Sequence, residues 1–174
     1  VAAEPGEADG LRAIAMIRER ASEYDIDPNR VVMVGFSAGA HIAAVNGMAE
    51  DRFARLDYVG VIYGGSFSEE ELDLPPPDRS GALPPQFLAW AQDDATAGES
   101  ASAYVDALME AGYRPEVHIY RNGSHGFGMT RQGTTSDRWV DDFFWWMQTQ
   151  GLTEKPGDAP HEVTMMPPPD LGGD

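Results

Sequence analysis

Val31-Val32-Met33-Val34-Gly35-Phe36-Ser37-Ala38-Gly39 leads into Ala40-His41-Ile42-Ala43-Ala44-Val45: an apolar run, a serine between two glycines, and a small-residue helix pattern. A strand that turns directly into a helix around a serine describes a nucleophile elbow. The chain must reverse so tightly there that side chains at both flanking positions are expected to clash, which would account for glycine at 35 and at 39. The turn raises the Ser37 hydroxyl above the end of the sheet. It also aims the next backbone N–H, that of Ala38, at a reacting carbonyl.

Outward from the elbow, apolar periodicity predicts a helix over 7–24, with Leu11, Ile14, Ala15, Arg18 and Ala21 at three- and four-residue spacing. Asp27-Pro28-Asn29 reads as a turn, followed by a strand at 31–36 and a helix at 38–48. Further strands are expected at 58–63, 86–91 and 116–120, and a helix at 100–111 stopped by Gly112. A last helix, 135–149, would carry Trp139, Val140, Phe143, Phe144 and Met147 on one face. Strands alternating with helices through short connections predict an α/β fold, a mainly parallel sheet covered by helices. Residues 66–85 form one long acidic, proline-rich insertion, a small lid or a surface loop. The expected domain runs over 1–152, and the Pro-, Gly- and acid-rich stretch 153–174 reads as a disordered tail.

Composition narrows the function. The 174 residues are 42 % hydrophobic, with 7 Phe, 6 Tyr and 4 Trp, enough to build a core. There is no cysteine, hence no disulfide framework and no thiolate metal site. No apolar stretch has the length of a membrane span. A net charge of −17, with Lys155 as the only lysine, opposes nucleic acid, anionic membranes and polyanionic substrates. Neutral small substrates fit this chain best.

A serine hydroxyl needs a base to take its proton, and the base needs a carboxylate to fix its tautomer. In elbow-type hydrolases the chain order is serine, acid, histidine. The acid would then lie in Asp93-Asp94, just past the strand 86–91, with Asp94 favoured. The histidine would be His125 in Gly123-Ser124-His125-Gly126-Phe127-Gly128, just past the strand 116–120. In a parallel sheet these loops share the carboxyl edge, so the three groups converge by topology. Of the other histidines, His41 should point along its helix, away from the serine hydroxyl. His118 sits in a strand as a packing or surface residue, and His161 falls in the tail.

The stretch Ala8–Ala49, with Ile26-Asp27-Pro28-Asn29-Arg30 running into Gly35-Phe36-Ser37-Ala38-Gly39-Ala40-His41, resembles the α/β-hydrolase esterases of the acetylesterase and xylan-esterase-like (BD-FAE-like) group. Pro84-Pro85-Gln86-Phe87-Leu88 through Asp93-Asp94, Val117-His118-Ile119-Tyr120 and Ser124-His125-Gly126-Phe127-Gly128 are similar to the same group, so the resemblance covers roughly residues 7–150. It implies an α/β-hydrolase fold and a serine esterase acting on short-chain esters such as sugar acetates, with no metal or cofactor. The group's acid loop has a His-Gly pair, two variable residues and the catalytic aspartate. Here Trp90-Ala91 replace that pair and the aspartate falls on Asp94. Ala97 stands where a valine is usual, and Ala40 where a second glycine is usual. Phe36 precedes the serine where the hormone-sensitive-lipase-like branch has aspartate.

The same resemblance implies several strands and a glycine-rich oxyanion loop upstream of the first helix. The sequence begins at Val1 without them, which reads as the carboxyl-terminal portion of a hydrolase. Ala38 N–H would then be the remaining oxyanion donor, and loss of one donor typically costs about 10²–10³ in rate. The open side of the sheet would expose apolar surface, leave room for a second copy, and make the chain marginal alone. The expected chemistry is ester hydrolysis by Ser37, His125 and Asp94, rising with pH through roughly 6–8 as histidine loses its proton. Alternatives are a prolyl-oligopeptidase-type peptidase, or a non-catalytic remnant or binding module.

Overall fold

The computed structural model describes residues 3–51, 53–77 and 82–153. The elements are α1 (Ala3–Glu19), α2 (Ala21–Tyr24), β1 (Val32–Phe36), α3 (Ala38–Gly47), β2 (Tyr58–Ile62), β3 (Gln86–Ala91), α4 (Gly98–Ala111), β4 (Glu116–Tyr120) and α5 (Trp139–Thr149). The four strands form one parallel sheet in the order β1-β2-β3-β4. Every strand therefore ends at the same edge, the one from which Ser37, Tyr63, the 92–97 loop and the 121–128 loop emerge. The expected tail lies outside the described residues, apart from Thr153.

Helices cover both faces of the sheet, as a parallel sheet requires. On one face α3 packs over Val59 and Val61. On the other, Phe143 of α5 meets Gly60 and Phe87, and Trp146 closes on Phe87. The α5 stripe differs from the expected one. Trp139, Phe143 and Trp146 are buried, whereas Phe144 is 47 % exposed, because the 3.6-residue period carries 144 away from the line joining 139, 143 and 146. The segment Thr135–Arg138 that precedes α5 is a 3₁₀ turn rather than its first α-helical turn. The Asp137 carboxylate there accepts the N–H groups of Gln132 and Gly133 and so ties this segment to the loop before it.

The first helix begins earlier than its periodicity indicates and is kinked at Arg20 (φ −109°, ψ 18°), so the single helix expected over 7–24 becomes α1 and α2. Gly6 and Gly10 weaken the helix signal of the first turns. Both are packing residues. A Cβ at Gly6 would lie 2.7 Å from Ile42 Cδ1, and one at Gly10 would lie 1.9 Å from Asn46 Nδ2. Two glycines four apart on α1 thus receive two side chains four apart on α3. β1 is an edge strand among the described residues, so Val32, Met33 and Val34 are only half-buried. Phe36 (37 % exposed) and Ile26 (42 %) lie on the surface. No helix among the described residues is long and apolar enough to cross a membrane.

Candidate active site

Ser37 sits between β1 and α3 with φ 53° and ψ −121°, a backbone conformation that non-glycine residues rarely adopt. Strain of this kind costs on the order of 1–3 kcal/mol and persists only where its surroundings impose it. The Ser37 N–H bonds to the Ile62 carbonyl (3.0 Å), fastening the elbow to the end of β2. Only one of the two flanking glycines is sterically required. A Cβ at Gly35 would fall 2.0 Å from the Gly39 carbonyl oxygen, while a Cβ at Gly39 would meet nothing within 4 Å. Gly35 is therefore demanded by close backbone approach, and Gly39 is not. Ala40 is fully buried, and its Cβ would lie 2.7 Å from a Cβ placed at Gly64, so the small residue facing it is what admits an alanine here.

Ser37, His125 and Asp94 come together as the chain order predicts. His125 Nε2 lies 2.7 Å from Ser37 Oγ, and His125 Nδ1 lies 2.9 and 3.1 Å from the two oxygens of Asp94. An ionised carboxylate only accepts, so Nδ1 carries the proton and donates it to Asp94. Nε2 is left to accept from the serine hydroxyl. The Asp94 side chain is completely buried, and its Oδ1 also accepts the N–H groups of Thr96 and Ala97, each at 2.9 Å. Those donors stand at the start of α4, where partial positive charge collects. They compensate the burial of the carboxylate and hold its plane toward the imidazole. Ala97 contributes through its backbone, which is why alanine serves there.

Asp93 has a different task from its neighbour. Its Oδ1 accepts the N–H groups of Ser124 (2.8 Å) and Gly123 (3.0 Å). Those two bonds, Ser124 first, hold the Asp93 carboxyl below the ordinary carboxylate range. Adjacent aspartates thus divide the work: one faces the imidazole, and the other grips the backbone of the loop that carries it. Ser124 (φ 56°), Gly126 (φ 78°) and Gly128 (φ 53°) give that loop its left-handed turns. Trp139 Nε1 donates to the Gly128 carbonyl (2.7 Å) and anchors the far end of the loop.

Ser37 and His125 open onto a cavity of about 340 Å³ whose walls include Ala38, Ile42, Tyr63 and Ala97. Ala38 is the first residue of α3, so its N–H has no carbonyl one turn back to bond. Tyr63 is a residue that the sequence reading passed over. Its ring meets His125 edge-on at 5.2 Å and Phe127 at 4.6 Å, and burial pushes its phenol up, so it stays a neutral wall against the imidazole. Its place directly after β2, at the carboxyl edge, was the available signal. The remaining histidines stand apart from the serine hydroxyl. His41 lines the cavity but turns its Nε2 toward Glu71, and His118 stacks on Phe87 and bonds Glu116. His161 lies outside the described residues.

Residues 5–71 match the family model BD-FAE. The chain is 24 % identical over 167 residues to an acetylxylan esterase of Xylanibacter ruminicola, covering 81 % of this chain and 35 % of that protein. It is 25 % identical over 150 residues to endo-1,4-beta-xylanase B of Butyrivibrio fibrisolvens, covering 68 % of this chain and 24 % of that protein. Among solved structures it resembles an acetyl ester-xyloside bifunctional hydrolase from Caldicellulosiruptor lactoaceticus (TM-score 0.69, 26 % identity, 84 % of this chain and 66 % of that one). It also resembles a thermophilic esterase from Thermogutta terrifontis (TM-score 0.73, 19 % identity, 87 % of this chain and 66 % of that one). The chain spans between a quarter and about a third of the curated relatives it matches. The fold is that of the α/β-hydrolases, and the relatives include esterases.

Proposed function

We propose that this α/β-hydrolase chain carries the catalytic triad of a serine esterase for short-chain carboxylic esters, sugar acetates among them. Ser37 Oγ attacks the ester carbonyl while His125 Nε2 takes its proton, giving a tetrahedral intermediate whose oxygen faces the Ala38 N–H. The intermediate collapses to the acyl-serine, and the imidazolium returns the proton to the departing alcohol. Water then repeats the sequence, releasing the acid and restoring Ser37. Asp94 keeps the proton on Nδ1 throughout and balances the charge of the imidazolium.

The observation that carries this reading is the unbroken hydrogen-bonded line from Ser37 Oγ through His125 to Asp94 at the mouth of an apolar cavity. A cavity of about 340 Å³ suits a short acyl chain, and the charge of −17 suits a neutral alcohol. One similar protein is named an acetylxylan esterase and another an acetyl ester-xyloside bifunctional hydrolase, which makes acetyl groups on neutral sugars the substrate class to try first.

A fluorophosphonate probe tests the proposal. Incubation with the whole chain should place one adduct on Ser37, located by mass spectrometry, and Ser37→Ala and His125→Ala should each remove it. A folded chain that takes no label, or labels equally in the His125 variant, would overturn the assignment.

A further inference from the structure

Away from the serine hydroxyl, one histidine has surroundings that a single proton does not satisfy. His41 follows the elbow by one helical turn, and its side chain is only 12 % exposed. Its Nε2 faces two carboxylate oxygens, Oε1 of Glu71 at 3.2 Å and Oε1 of Glu7 at 3.8 Å. The three residues come from α1, α3 and the segment between β2 and β3, so tertiary folding brings them together. Both acids face the same ring nitrogen. One N–H donates well to one of them and leaves the second charge unmatched. No lysine or arginine among the described residues forms an ion pair with either.

His118 provides the contrast within the same protein. Glu116 lies 2.8 Å from its Nε2, and Asp142 lies 3.7 Å from its Nδ1, so each carboxylate has a nitrogen of its own. At His41 the three donors converge on one point instead. Ligands held tetrahedrally about 2.0–2.2 Å from a metal sit roughly 3.3–3.6 Å from one another. The two distances at His41 bracket that range, and all three ligand atoms lie within 4.8 Å. One imidazole and two carboxylates form a donor set for Zn²⁺ and related divalent ions, rather than for Ca²⁺, which favours oxygen alone.

We infer that Glu7, His41 and Glu71 form a binding site for a divalent cation of the Zn²⁺ type, pinning the 66–77 segment to α1 and to the elbow helix. The third ligand is already held in place. Glu71 Oε2 accepts the Ser68 N–H (2.6 Å), and the Ser68 hydroxyl accepts the Glu71 N–H (3.2 Å), closing a compact turn around it. Phe67, beside that turn, lies with its ring centroid 5.2 Å from that of His41 and stacks on Tyr104. His41 and Ile42 line the cavity beside Ser37, so an ion here steadies the cavity wall and takes no part in the ester chemistry.

The whole chain, stripped with EDTA, is titrated with Zn²⁺ by calorimetry and with Co²⁺ by visible absorption. The expected result is one equivalent bound, the intense visible bands of four-coordinate Co²⁺, and a rise in melting temperature with Zn²⁺. His41→Gln and Glu71→Gln should weaken binding by more than the roughly 10–100-fold typical of residues that only support a ligand. His118→Ala should leave binding unchanged. Glu71→Gln alters one half-buried side chain, and circular dichroism will report whether that variant is folded. Failure of the parent chain to bind Zn²⁺, or binding that survives in both glutamine variants or vanishes in His118→Ala, would overturn the assignment.

Discussion

Replacing Gly35 by alanine and, separately, Gly39 by alanine tests how the elbow is built. The two glycines flank Ser37 symmetrically in the sequence but not in space. At Gly35 the new methyl would lie 2.0 Å from the Gly39 oxygen, 2.3 Å from the Gly39 carbonyl carbon and 2.6 Å from Ala40 Cα. All three are backbone atoms at the first turn of α3, which cannot rotate aside as a side chain can. To restore ordinary contact near 3.4 Å from 2.0 Å, β1 and α3 must part by about 1.4 Å. Overpacking of this kind costs typically 1–3 kcal/mol, and the rigidity of the neighbours puts Gly35→Ala at about 3 kcal/mol or more. For a domain of this size that lowers Tm by about 6–12 °C. The same displacement moves Ser37 Oγ away from His125 Nε2, so fluorophosphonate labelling should slow by about 10²-fold. At Gly39 the added methyl meets nothing, and alanine favours the helix by up to about 1 kcal/mol. Urea denaturation of the two variants beside the parent, with labelling rates at Ser37, reads both effects. Equal stability of Gly35→Ala and parent, or equal losses in the two variants, would refute the reasoning.

Other expectations follow from the neighbouring contacts. Asp94→Asn should reduce labelling by about 10³–10⁴-fold, because an amide can donate to Nδ1 and favours the wrong tautomer; a fall under tenfold would remove Asp94 from the proposed triad. Asp93→Ala should act through the His125 loop, lowering turnover of a small acetate ester with KM nearly unchanged, and Asp93→Asn should recover part of it because the amide oxygen still accepts. The Asp93 carboxyl is depressed in the folded chain, so its contribution to stability is complete above the ordinary carboxylate pKa and fades as pH falls through the lower folded value. Acid titration of the parent should therefore show a larger loss below about pH 4 than that of Asp93→Asn, which keeps only the share of other depressed carboxyls such as Asp137. Tyr104→Phe removes the donor to Gln86 Oε1 in a fully buried site and should cost about 1–3 kcal/mol in denaturant.

Strand and helix periods, the elbow and the order of serine, acid and histidine were all legible along the chain, because each is a local pattern or a consequence of parallel topology. The edges of elements were less so. The first turn of α1, before residue 7, was hidden by Gly6, which makes poor helix and good packing surface. The start of α5 was displaced by the Asp137 carboxylate, whose local bonds compete with the helix. The difference between Asp93 and Asp94 could be inferred from resemblance but not from spacing, since both follow β3 directly and either could have faced the imidazole.

From the sequence alone came an α/β fold, a strand-turn-helix around Ser37, and a carboxyl edge at which His125 and one of the pair Asp93-Asp94 would meet it. Those are properties of hydrophobic period and chain order, which neighbouring residues set. Only the tertiary structure decided which side of the elbow is sterically closed, which aspartate faces His125 and which one grips its loop. It alone brought Glu7, His41 and Glu71 to a common point. Each of these depends on the distance between atoms from segments far apart in the chain, and such distances are fixed by packing, which no local pattern encodes.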